Sequence, residues 1–365
     1  MKKSKLAFLA GITAASALFL ASCGSSAKSS QTNTFSYVYS TDPDSLNYLL
    51  SNRSTTSDVT TNLVDGLFEN DQYGNLVPAL AEDWSVSKDG LTYTYKLRKD
   101  AKWYDSEGNE YADVTAQDFV TSLKYVADNK SDALYLVQNS VAGLDDYVTG
   151  KNTDFSKVGV KSVDDHTLQY TLAQPESFWN SKLTTSTMMP VNEKFLKSAG
   201  KDFGSVKPSG ILYNGPYYLK SFTSKSLMEF TKNENYYDKD NVKIDDIKLT
   251  YFDGSDQDYL ARNFSDGNLT TARLFPTSST FSTIEKKFKD NIVYSPQDAT
   301  VYYVYFNVNR QNYGHTEKTT DDQKNQTKTA LQNKNFRQAI NFALDRTSLS
   351  AQSNGKDGAS KTLRT

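Results

Sequence analysis

Trp84-Ser85-Val86-Ser87-Lys88-Asp89-Gly90-Leu91-Thr92-Tyr93-Thr94-Tyr95-Lys96-Leu97 decides the fold. From Leu91 to Leu97, large apolar side chains alternate with small or charged ones. That period of two marks a strand with one covered face. Lys88-Asp89-Gly90 supplies the turn and Trp84-Ser85-Val86 the partner strand, so the stretch is a β-hairpin. Residues 158–172 repeat the plan around the turn Asp164-Asp165-His166, and residues 217–219 pair with 227–230 in a third hairpin.

Working outward, Phe35, Tyr37 and Tyr39 alternate in a short strand that Asp42-Pro43-Asp44-Ser45 ends as a turn. Residues 57–64 predict a helix. Thr115 followed by Asp118 is a capping signature, and Phe119, Leu123 and Val126 then recur at helical spacing. Further expectations are a short helix over 195–199 closed at Gly200, a strand over 247–251, a helix over 257–264 and a strand over 291–294. Residues 301–308 form a long apolar run, the mark of a strand covered on both faces. Residues 311–332 are polar and charged, which predicts an exposed loop or insertion. In residues 335–349, Phe336, Ile340, Ala343 and Leu344 share one helical face. Many hairpins, few βαβ units and no repeat of fixed period predict an α+β fold with mixed sheets.

The N-terminus carries an address. Lys2, Lys3 and Lys5 precede an uncharged apolar run over 6–20, and Leu20-Ala21-Ser22-Cys23 follows. This is the layout of a secretory signal with a small-residue cleavage site. The cysteine directly after that site resembles a bacterial lipobox. Residues 1–22 are then a signal peptide, Cys23 the lipid attachment site, and residues 23–34, rich in serine, a flexible tether. A transmembrane helix needs ~20 apolar residues, and Gly11, Thr13 and Ser16 interrupt this shorter run. Two acyl chains on Cys23 satisfy the rule that stable anchoring takes two hydrophobic signals.

Composition narrows the partners. The formal net charge is −2, and losing Lys2, Lys3 and Lys5 with the signal would take it to −5. A mildly acidic chain without a basic cluster argues against nucleic acid. Cys23 is the single cysteine, so no disulfide can form within the chain, and its length suffices for a large core. Tyrosine, at 24 residues, serves both strands and binding surfaces, so both readings stay open. A hydrolase needs a nucleophile with a base in reach, yet His166 and His315 are the only histidines and no Gly-x-Ser-x-Gly elbow occurs. No His/Cys cluster offers a metal site. Catalytic residues, metal and cofactors are therefore expected to be absent.

Four motifs in order carry a resemblance. The first is Pro78-Ala79-Leu80-Ala81-Glu82-Asp83-Trp84 with Asp89-Gly90-Leu91-Thr92-Tyr93-Thr94-Tyr95-Lys96-Leu97-Arg98 and Ala101-Lys102-Trp103. The second is Thr115-Ala116-Gln117-Asp118-Phe119-Val120, the third Asn214-Gly215-Pro216-Tyr217, and the fourth Asn335-Phe336-Arg337-Gln338-Ala339-Ile340-Asn341-Phe342-Ala343-Leu344-Asp345-Arg346. Together they resemble the family 5 extracellular solute-binding proteins, the peptide-binding components of ABC importers. Within the family the chain looks most like the lipid-anchored oligopeptide-binding proteins of Gram-positive bacteria.

The resemblance implies a mixed α/β, periplasmic-binding-protein-like type II clamshell. Lobe one spans 35–300, with a subdomain inserted at about 66–174, and residues 301–365 hold a hinge strand and the start of lobe two. Family members run longer, so lobe one is expected to be nearly complete and lobe two largely missing. The implied function is capture of oligopeptides outside the cell membrane for import, with ABC permease subunits and membrane lipid, through Cys23, as partners and a monomeric state. Candidate ligand-facing groups are Asn52, Arg53, Ser54 and Thr55, the turn Tyr213-Asn214-Gly215, and Asn307. All sit at element ends, where ligand groups tend to be placed. For each, turn or capping chemistry is the competing role. Trp84, Trp103 and Tyr93 are expected to pack the core or the hairpin rather than touch ligand. The alternative function is a surface lipoprotein acting in adhesion or peptide sensing without transport.

Overall fold

A computed structural model describes residues 33–256, 258–276, 278–293, 303–314, 316–352 and 355. Its strands are β1 (Thr34–Tyr39), β2 (Phe68–Asn70), β3 (Leu76–Pro78), β4 (Ala81–Val86), β5 (Thr92–Leu97), β6 (Lys102–Tyr104), β7 (Glu110–Asp113), β8 (Val160–Asp164), β9 (Thr167–Thr171), β10 (Tyr217–Thr223), β11 (Leu227–Lys232) and β12 (Asp246–Tyr251). The longer helices are α1 (Ser54–Thr60), α2 (Ala116–Asp128), α3 (Glu193–Ala199), α4 (Asp258–Ser265), α5 (Phe281–Lys287), α6 (Asp321–Gln332) and α7 (Lys334–Ala343). The architecture is mixed α/β. The chain divides into two compact units, the first ending at Asp253 and the second starting at Gly254.

The hairpin β4–β5 forms as its alternation predicts, and β9 and β8 extend it into a four-stranded antiparallel sheet. Tyr93, Tyr95 and Leu97 point to the buried face of β5. There Tyr95 meets Tyr170 edge-on, and Tyr170 meets Trp179 with ring centres 5.4 Å apart. Each such ring contributes about 1.5–3 kcal/mol through burial, so this layer holds the first unit together. Trp103 is buried as well. Trp84 stays half exposed and packs edge-on against Phe68 at 5.0 Å.

Helix α2 starts at the predicted cap. Asp118 accepts from the Thr115 backbone N–H at 2.9 Å and from Trp103 Nε1 at 3.0 Å. Its Phe119, Leu123 and Val126 stripe is buried. The other sheet runs β1-β12-β11-β10 and is mixed: β1 lies parallel to β12, and the remaining pairs are antiparallel. The early helix starts at Ser54, three residues before the expected 57, and ends at Thr60.

The second unit departs from three expectations. Residues 291–293 and 303–308 form no strand, while 294 and 301–302 lie outside the described residues. Tyr303, Val304 and Tyr305 are 76%, 69% and 79% exposed. An apolar run expresses a demand for cover, and among the described residues no strand pairs with it. Residues 321–332, expected as a loop, are helix α6. With hardly any apolar residue it shows no hydrophobic period. Its signal was the box Thr320-x-x-Gln323, in which the Thr320 hydroxyl accepts from the Gln323 N–H at 3.2 Å.

Candidate functional site

Asn52 and Arg53 are exposed and lead into α1, whose first residues are Ser54 and Thr55. Arg53 takes the N-cap position without a capping side chain and pairs with Asp44 at 2.6 Å, both side chains more than half exposed. Such a pair adds ~0.2–1 kcal/mol at most, so Arg53 is free to exchange partners. Nearby, the Asp132 N–H and the Ser131 hydroxyl both donate to the Leu50 carbonyl, at 3.0 and 3.4 Å. An open depression of about 580 Å³ lies over that segment, lined in part by Lys130, Asp132, Tyr135 and Gln138.

The turn Tyr213-Asn214-Gly215 is buried and held by several hydrogen bonds. Tyr213 is fully buried, and its hydroxyl donates to the Pro208 carbonyl at 2.5 Å. Its backbone exchanges hydrogen bonds with Tyr104 at 2.8 and 2.9 Å. The Gly215 N–H donates to the Leu63 carbonyl at 3.0 Å. A Cβ on Gly215 would sit 2.7 Å from the Leu63 carbonyl carbon, which is why glycine stands there. Asn214 Oδ1 accepts the Asp65 backbone N–H at 2.8 Å, while its Nδ2 is buried without a partner among the described residues. The turn thus packs on the residues just beyond α1, and residues 52–55 open the same segment at its other end. Helix α1, seven residues and about 10 Å long, lies between them. Asn307 belongs to the second unit, is exposed, and accepts the Asn309 N–H at 3.2 Å. Cys23 and His315 lie outside the described residues. His166 occupies its hairpin turn with a buried Nδ1 that has no partner among the described residues.

The polar centre of this region escaped the sequence reading. Asn233, fully buried, donates from Nδ2 to the Gly215 carbonyl at 3.0 Å and accepts the Tyr218 hydroxyl at 2.7 Å. Asp65 Oδ2 accepts two hydroxyls, from Tyr236 at 2.8 Å and Tyr237 at 2.7 Å. The Arg98 guanidinium lies 3.5 Å over the Tyr237 ring. Burial, and then the neighbouring Glu69 charge, push the Asp65 carboxyl up to about 8. The available signal was an aspartate inside the apolar run Leu63-Val64-Asp65-Gly66-Leu67-Phe68. A charge there needs partners that only the fold supplies. Among the described residues no group of His, Cys, Asp and Glu could hold a metal ion.

The buried side chains brace a wall, and exposed polar groups stand beside it. The family described as bacterial extracellular solute-binding proteins, family 5, middle, matches residues 75–363. The chain belongs to that family, whose members are binding proteins and not enzymes. It is 62% identical to the oligopeptide-binding protein AliB of Streptococcus pneumoniae over all of its length and 56% of AliB's. It is 61% identical to the oligopeptide-binding protein SarA of Streptococcus gordonii, again over 100% of this chain and 56% of the relative. Among solved structures, peptide-bound OppA of Listeria monocytogenes superposes with a TM-score of 0.71 at 27% identity, covering 90% of this chain and 59% of OppA. The chain therefore spans little more than half the length of these relatives.

Proposed function

We propose that this chain is the first part of a lipid-anchored receptor that captures oligopeptides outside the cell and delivers them to an ABC permease. The similarity to oligopeptide-binding AliB along the whole chain carries the reading. The receptor is a two-lobed type II clamshell: residues 35–300 build lobe one, with an insertion at about 66–174, and 301–365 start the hinge and lobe two. Main-chain hydrogen bonds to an extended peptide give affinity without strict sequence demands, and closure of the lobes on the ligand is what the permease reads. Lipid on Cys23 keeps the receptor beside the permease and raises its effective concentration.

In the first unit the exposed Asn52, Arg53 and Ser54 and the half-buried Thr55 are proposed to meet the peptide; in the second unit the exposed Asn307 is proposed as a peptide contact of its own. The buried turn Tyr213-Asn214-Gly215 is proposed to set the wall's position. Joining this chain to the remaining length of AliB tests the proposal by isothermal titration with an oligopeptide mixture. The hybrid is expected to bind within tenfold of AliB, and a hybrid that folds but takes up no peptide would overturn the reading. The chain alone is expected to bind at least tenfold more weakly, a loss of ~1.4 kcal/mol. Equal affinity would remove the need for a second lobe.

A further inference from the structure

The depression of about 580 Å³ just past the end of α2 is lined by none of the peptide-facing groups proposed above. Of its lining residues, only Lys130 and Asp132 carry a charge. Among the described residues, neither side chain forms an ion pair or a hydrogen bond, with a neighbour or with the other. The charges around them are committed: Asp128 to Lys124 and the Tyr147 hydroxyl, Asp145 to Gln138 and Lys151. Lys130 stands in left-handed backbone at φ 51°, a position that glycine or asparagine usually fills. A lysine there gives up stability and contributes an ammonium group. The walls are fixed in advance. The Asp132 N–H and the Ser131 hydroxyl hold the Leu50 carbonyl, and Gln138 Nε2 donates to Asp145 Oδ1 at 2.9 Å. Leu134, Val148 and Tyr135 supply apolar surface, with the Tyr135 ring 67% exposed.

We propose that this depression is a binding site for a free amino acid with an apolar side chain. Asp132 accepts hydrogen bonds from the α-ammonium, and Lys130 donates to the α-carboxylate. The ligand's side chain lies against Leu134, Val148 and the Tyr135 ring. Two free charges of opposite sign call for a zwitterion, because a ligand of one sign would be repelled by one of them. The α-carbons of Lys130 and Asp132 are at most ~7 Å apart. A single amino acid carries both its charges on one carbon, whereas each further residue can move the termini apart by ~3.5 Å. One residue therefore matches the pair better than a longer peptide does. Charge-assisted hydrogen bonds at both ends fix its orientation. The site stands on its own residues and does not rest on the peptide-capture reading.

Isothermal titration of the full chain with L-phenylalanine tests the assignment. Two analogues accompany it: N-acetyl-phenylalanine, which lacks the ammonium, and phenylalanine amide, which lacks the carboxylate. Phenylalanine is expected to bind saturably and each analogue roughly tenfold more weakly or worse, the loss of one charge-assisted hydrogen bond. No saturation up to the solubility limit of phenylalanine, or analogues that bind as well, would overturn the proposal. Two variants then place the ligand. Lys130→Met is expected to weaken phenylalanine by roughly tenfold and to leave the amide unchanged. Asp132→Asn, which keeps the backbone N–H on Leu50, is expected to weaken phenylalanine likewise and to leave the N-acetyl form unchanged. If either variant fails to fold, the analogue series on the native chain decides without it. Arg53→Ala is expected to leave phenylalanine binding as it was; a loss there would put the ligand at the peptide-facing residues and refute this site. Tighter binding of the Phe-Phe dipeptide than of phenylalanine would refute a site for a single amino acid.

Discussion

Asn214 shows how a residue's role can change between sequence and structure. Asn-Gly reads first as a turn, since both residues tolerate positive φ. In the fold Asn214 instead accepts the N–H of buried Asp65, 149 residues away. Asn214→Ala would strand that donor, and a loss of about 1–3 kcal/mol is expected in chemical denaturation; a change below ~0.5 kcal/mol would count against the role. Lys130 is the opposite case. It adopts φ 51° just after α2, a left-handed geometry that side chains resist. Lys130→Gly should therefore stabilise the chain by ~1 kcal/mol, read as a higher denaturation midpoint. For Arg53, an exposed pair predicts a stability change of ~1 kcal/mol or less on Arg53→Ala. Peptide affinity of the AliB hybrid should fall at the same time, and unchanged affinity would exclude Arg53 from the site.

At the scale of elements, local chemistry was legible wherever a signal lies within a few residues. The Tyr93/Tyr95 alternation, the turns at Gly90 and His166, and the Thr115–Asp118 cap all stand where the pattern put them. Thr115→Ala is expected to cost ~1 kcal/mol, seen in thermal or chemical unfolding. Helix α6 was missed because periodicity needs apolar residues to report it, and this helix buries none. The run 303–308 failed in the other direction. Its apolar residues request neighbours, and pairing depends on a strand that the run does not itself encode.

For the whole molecule, buried area is unevenly spread. The aromatic layer of β5 and β9 and the inner face of α2 lie in one continuous core, whereas α6 and α7 bury no residue. Amide exchange should be slowest in β5, β9 and α2 and fastest in α6 and α7, because local opening exposes little apolar surface there. Uniform protection would contradict this. What the sequence determined by itself was local or cumulative: hairpins from a period of two, caps from a three-residue spacing, and family membership from four motifs in order. Only the tertiary structure decided the site's chemistry. Asp65 meets Tyr236 and Tyr237 across 171 and 172 residues of chain. Burial and charge at a carboxyl are set by whatever packs around it, and the residues beside it in the chain do not specify those neighbours.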